Sequence, residues 1–84
     1  MAEQEERGFL LLAMQLIDPD LRKIIVLRDF EDRSYAEVAG FLGIGEEAAR
    51  SRHRRALEEL RDQISRLKAG QLRDLELELG GEKW

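Results

Sequence analysis

Gly43 and Gly45 stand between an apolar-sided segment and an arginine-rich one, and no other feature constrains this chain's fold as tightly. The surrounding stretch, residues 34–57, reads SYAEVAGFLGIGEEAARSRHRRAL. Ser34 has the short side chain of a helix N-cap, and Glu37 stands where it can return the capping bond. Val38, Ala39, Phe41 and Leu42 give the following short helix an apolar side. Gly43 is placed for a sharp turn, Gly45 for a free entry into the next helix. Ala39, four residues before Gly43, lets two helices cross closely. The layout is that of a helix-turn-helix, a motif whose second helix enters the DNA major groove.

Around this stretch the chain reads as helical throughout. Residues 3–17 predict a first helix ending before Asp18-Pro19. Phe9, Leu12, Ala13 and Leu16 form one apolar stripe, and Leu10, Met14 and Ile17 form its neighbour. That is more apolar surface than one contact needs, so Phe9, Leu10, Met14 and Ile17 are candidates for a partner-binding groove as well as for core. A second helix starts at Asp18 or Pro19 and runs to about Glu31, with Leu21, Ile24, Ile25, Leu27 and Phe30 inward and Arg22, Lys23 and Asp29 outward. The long helix begins near Glu46, with Ala49, His53, Ala56, Leu60, Ile64 and Leu67 on its inner stripe. Ala69-Gly70 is its expected stop. Residues 1–70 thus form the domain, and 71–84 a C-terminal extension, either a short helix or a frayed tail. The expected architecture is all-α, a bundle of four to five helices holding the helix-turn-helix.

Composition narrows the chemistry. With 43% hydrophobic and 38% charged residues among 84, the chain suits one small, highly charged helical domain. It has no cysteine and one histidine, which excludes disulfides and thiolate metal sites and points to a reducing cytoplasm. The nine-residue apolar run 9–17 is too short to span a bilayer, and the start MAEQEE is too acidic for a secretory signal. No membrane association is expected. There is no glycine-rich phosphate loop, no nucleophile with a histidine base and no ligand cluster at metal spacing. The expectation is therefore no enzyme, no cofactor, no metal and no small-molecule substrate.

The net charge of −4 runs against a nucleic-acid binder, but the charge is segregated. Residues 50–68 hold seven Arg or Lys against three acids, a local +4, whereas residues 1–42 hold nine acids against five bases, a local −4. Arg50, Ser51, Arg54 and Arg55, together with Glu47 and Arg33, are the candidate DNA contacts, the arginines because arginine bonds guanine bidentately or holds phosphate. Lys23 and Arg33 would brace the backbone. Glu47 shares the face and, with Glu46, suits the positive end of the helix while opposing phosphate. Arg52 lies nearer the core stripe and is expected to pair with Glu37 or Asp29. His53, on the core stripe, is expected to be a half-buried structural residue.

Two blocks together, LRKIIVLRDFEDRSYAEVAGFLGI and ARSRHRRALEEL, resemble region 4 of extracytoplasmic-function sigma factors in the sigma-70 family. Tyr35, Glu37, Ala39, Leu42, Gly43, Ser51, Arg52, Arg55 and Ala56 carry the resemblance, which spans about residues 16–64. It implies a sigma region 4 (winged-helix-like) fold whose last helix reads the −35 promoter element. It also implies docking on the flap of the RNA polymerase β subunit, with anti-sigma factors as possible competitors. The pattern departs at Ala48 and Ala49, which replace Thr-Val, and at His53, which replaces Leu. Arg50 conservatively replaces Lys. Nothing resembles region 2, so the chain is expected to be either the C-terminal domain of a longer protein or a stand-alone regulator that binds polymerase or another regulator without reading DNA.

Overall fold

Four helices follow one another in the computed structural model, which describes residues 2–80, with side chains over 7–70. They are α1 (Ala2–Leu16), α2 (Pro19–Ile25), α3 (Tyr35–Leu42) and α4 (Glu46–Gly80). A π-helical turn, Val26–Phe30, prolongs α2. The described residues contain no strand, and no helix among them is long and apolar enough to cross a membrane. At 1.5 Å per residue α4 is about 52 Å long, which nearly accounts for the 57 Å long axis of the molecule. The other helices pack along it.

Each helix start follows from its sequence. The Asp18 carboxylate accepts from the Asp20 N–H at 2.8 Å, and Pro19 occupies the first turn, where its missing N–H costs nothing. Ser34 and Glu37 form the reciprocal capping box: Glu37 N–H donates to Ser34 Oγ at 3.1 Å, and Ser34 N–H donates to Glu37 Oε1 at 3.0 Å. The bond from the Ser34 backbone, the Ser34 side chain and the nearby Arg33 charge hold the Glu37 carboxyl below its ordinary pKa. At the other end of α3, Gly43 adopts φ +67°, and its N–H and that of Ile44 both donate to the Ala39 carbonyl. Gly45 needs no such conformation.

The end of α2 is unusual. Glu31 N–H reaches Val26 O at 2.9 Å and Arg33 N–H reaches Leu27 O at 3.0 Å, bonds that span more residues than an α-helix allows. Asp32 follows at φ +56°, a left-handed position that Asp tolerates better than most side chains. The wide turn and Asp32 together redirect the chain into the Ser34 cap.

The core comprises Ala13, Met14 and Ile17 from the α1 segment, Leu21, Ile24 and Ile25 from α2, Val38 and Ala39 from α3, and Ala49, Ala56 and Leu60 from α4. Ile64 and Leu67 pack against it, so the inner stripe expected for α4 is present. Four expectations need correction. Of the two α1 stripes, Met14 and Ile17 are buried and Leu10 packs on the core, so these residues do not form an open partner groove. At 100° per residue, positions 10, 13, 14 and 17 share one arc, which leaves Leu11, Leu12 and Leu16 more than half exposed. Phe30 is 56% exposed because it lies about 180° around the helix from Leu21. Phe41 is 62% exposed, and the Arg33 guanidinium covers it at 4.7 Å from the ring centroid. Finally, α4 does not stop at Ala69-Gly70 but runs on to Gly80, while residues 81–84 lie outside the described residues.

A Cβ added at Gly43 would meet no atom within 4 Å, so substitution there tests backbone strain alone. Gly43→Ala should lower stability by about 1–2 kcal/mol, read from the urea midpoint. A neutral result would show that the left-handed turn is dispensable. The capping box gives a second prediction. Because folding depresses the Glu37 pKa, its contribution is present above the ordinary carboxylate range and is lost as pH falls through the lowered value. In Ser34→Ala, an NMR titration of Glu37 should move back toward the ordinary range. An unmoved titration would remove the Ser34 side chain as a cause and leave the Ser34 backbone bond, which alanine keeps, as the source of the shift.

Candidate nucleic-acid interface

After the Gly43 turn, the first three turns of α4 bury Ala49, His53 and Ala56 on one side and expose the opposite side. Glu47, Arg50, Ser51, Arg54 and Arg55 are all exposed and fall within about 140° of one another at 100° per residue, and exposed Glu58 falls on the same side. Five of the six candidate DNA contacts, Glu47 among them, are therefore together on one face. Arg33 is elsewhere. It lies in the connection before α3, ion-paired with Glu31 at 2.9 Å and Glu37 at 3.8 Å. Lys23 is exposed on α2.

The arginines on this face are not equivalent. Arg50 donates from Nη2 to Glu46 Oε1 at 3.2 Å and from Nη1 to Glu47 Oε1 at 3.1 Å. Arg55 approaches Glu59 at 3.9 Å with a side chain 74% exposed, a pairing worth little. Arg54 takes part in no ion pair among the described residues. Arg52 pairs with neither Glu37 nor Asp29, because Ser34 and Arg33 engage the first and His53 engages the second. It instead lines a cleft of about 210 Å³ with Asp18, Asp20, Leu21, Arg55 and Glu59.

Behind the arginine face lies a polar bridge that sequence reasoning missed. His53, 7% exposed, is indeed a structural core histidine. Its Nε2 bonds Asp29 Oδ2 at 2.7 Å and its Nδ1 bonds the Tyr35 hydroxyl at 2.9 Å. A carboxylate only accepts, so Nε2 carries the proton, and in the neutral ring Nδ1 accepts from the tyrosine. One side chain of α4 thus ties the π turn after α2 to the first residue of α3. The available signal was Asp29's position four residues beyond buried Ile25, although Asp29 itself is exposed. Tyr35 also receives two guanidinium groups, with Arg28 Cζ at 4.6 Å and Arg50 Cζ at 5.3 Å from the ring centroid.

His53 replaces apolar packing with two hydrogen bonds. His53→Ala removes the ring and both bonds and should cost about 2–4 kcal/mol, against about 1 kcal/mol for Tyr35→Phe, which removes one. Urea denaturation of both variants checks the order. A Tyr35→Phe loss equal to that of His53→Ala would contradict the assigned bridge.

Residues 13–62 match the family described as "Sigma-70, region 4". The chain is also 34% identical over 62 residues to the RNA polymerase sigma-E factor of Streptomyces antibioticus. That alignment covers 74% of this chain and 34% of the relative, so the chain spans about a third of that protein's length.

Proposed function

The chain belongs to the sigma-70 region 4 family, and from that premise we propose that it is a DNA-binding transcription-initiation module which recognises a −35 promoter element and docks on RNA polymerase. One observation carries the DNA half of this reading: Arg50, Ser51, Arg54 and Arg55 are exposed together on the helix that follows the Gly43 turn. Arg54 and Arg55 are the freest of its cations and would take phosphate or a guanine edge. Exposed Leu11, Leu12 and Leu16, beside half-buried Phe9, support docking through α1, in place of the buried Met14 and Ile17. The proposed partner surface is the polymerase β flap, and an anti-sigma factor that covered the same leucines would block it. Both partners place the chain in the cytoplasm.

Arg54→Ala and Arg55→Ala should each weaken binding to duplex DNA and lower the slope of log affinity against log salt by about 0.9, one phosphate contact each. A titration series by fluorescence anisotropy reads both quantities. If low salt yields no binding by the wild-type chain, direct DNA recognition is refuted for the free domain.

The pairing of Arg50 with Glu46 and Glu47 favours a second reading, a module that binds polymerase or a regulator without gripping DNA. Capture by purified core polymerase separates the two halves. Leu12→Asp with Leu16→Asp should abolish capture while Arg54→Ala leaves it intact. Capture unaffected by the aspartates would remove α1 from the docking surface.

A further inference from the structure

Arg50 is the arginine of the DNA-facing side that the fold holds down. Two carboxylates converge on its guanidinium from the first turn of its own helix, at 3.2 and 3.1 Å. The Tyr35 ring lies beneath it at 5.3 Å, and the hydroxyl of that ring is anchored on buried His53. Neither Arg54 nor Arg55 is held by more than one contact of this kind. Glu46 and Glu47 therefore supply Arg50 with the same two-acceptor arrangement that a phosphate or a guanine edge would offer.

We propose that Glu46 and Glu47 are intramolecular competitors for the DNA contact of Arg50, so that this arginine engages duplex only after both carboxylates are displaced. This rests on the DNA-binding reading given above. The competition has two parts. A phosphate must replace two charge-assisted bonds and the stacking on Tyr35 before it gains anything from Arg50. The freed carboxylates then stand beside the phosphate and repel it. Each ion pair is exposed and individually weak, so the restraint amounts to a several-fold reduction in affinity rather than a block. Glu46 and Glu47 are in this sense positioning residues: they set how many cations the helix presents to DNA at a given salt concentration.

The test is a double-mutant cycle on the full chain with a random-sequence duplex pool, measured by anisotropy across a salt series. The four proteins are wild type, E46Q/E47Q, R50M and E46Q/E47Q/R50M. Glutamine keeps the size of the side chain and removes its charge. E46Q/E47Q should bind several-fold tighter, with a salt slope steeper by about 0.9, as one more neutralised phosphate requires. In the R50M background the change of slope should vanish and the gain in affinity should shrink to the through-space repulsion of the two acids alone. An equal gain with and without Arg50 overturns the proposal, since the acids would then act on DNA through space. No gain at all also overturns it. If wild type and every variant fail to bind at the lowest salt, the DNA-binding reading itself falls, and the competition with it. Losing two acids from a first turn weakens the helix, so helicity is checked by circular dichroism. Should the double variant unfold, E47Q alone, at a side chain 91% exposed, runs the same cycle.

Discussion

The Ala39 carbonyl oxygen accepts two backbone bonds, from Gly43 and from Ile44, and the orientation of α4 depends on them. Both bonds require Gly43 in the left-handed region, where a side chain is strained even in open space. Ala39 is itself buried, so its small side chain suits the close packing of α3 in the core. The turn thus does two things at once. It satisfies the carbonyl end of α3, and it fixes the direction in which α4 leaves. Every arginine on the exposed side of α4 inherits its position from that turn.

A core this small needs a second device. Among the described residues, four of the eleven buried hydrophobic ones are alanines, at positions 13, 39, 49 and 56. Alanine allows close helix approach but contributes little buried area, so packing alone specifies the helix angles weakly. His53 supplies direction where alanine cannot. Its two bonds point to different elements, Asp29 after α2 and Tyr35 at the start of α3, and a slide of α4 by one position would break both. The replacement of leucine by histidine in the sigma pattern is therefore less a thinning of the core than an exchange of area for geometry. The π turn is part of the same arrangement, since it carries Asp29 to the histidine and then lets Asp32 lead into the Ser34 cap.

Much of this was legible in the residues. The capping box, the Gly43 turn and the structural role of His53 each follow from a side chain with a specific backbone demand. The π turn was not, because its bonds use ordinary residues and leave no compositional trace. The stop expected at Ala69-Gly70 failed for a different reason. One interior glycine costs a helix about 1 kcal/mol, and the Leu- and Glu-rich sequence after it offsets that. Phe30 and Phe41 were misplaced by treating apolar character as burial, although Phe30 sits on the side of its helix away from Leu21. For the exposed arginine side of α4, sequence spacing placed Arg50, Ser51, Arg54 and Arg55 on one face but did not show that Arg50 is already engaged. That depends on rotamers, which spacing does not encode.

On the proposed reading, a restrained DNA grip is consistent with a second, apolar point of attachment. The chain carries a net −4, and the acids at the start of α4 oppose phosphate at close range. Isolated, such a domain gains DNA affinity mainly from Arg54 and Arg55. Docking through Leu11, Leu12 and Leu16 changes the problem, because DNA contact then becomes intramolecular within the assembly. Effective concentrations in such tethered systems reach the millimolar range, so a weak contact is sufficient once the protein partner is engaged. The same weakness keeps the undocked domain from occupying non-specific DNA, where a fully basic helix would accumulate. The acidic pair and the exposed leucines are then two parts of one arrangement: the first lowers affinity for DNA alone, and the second makes that low affinity adequate.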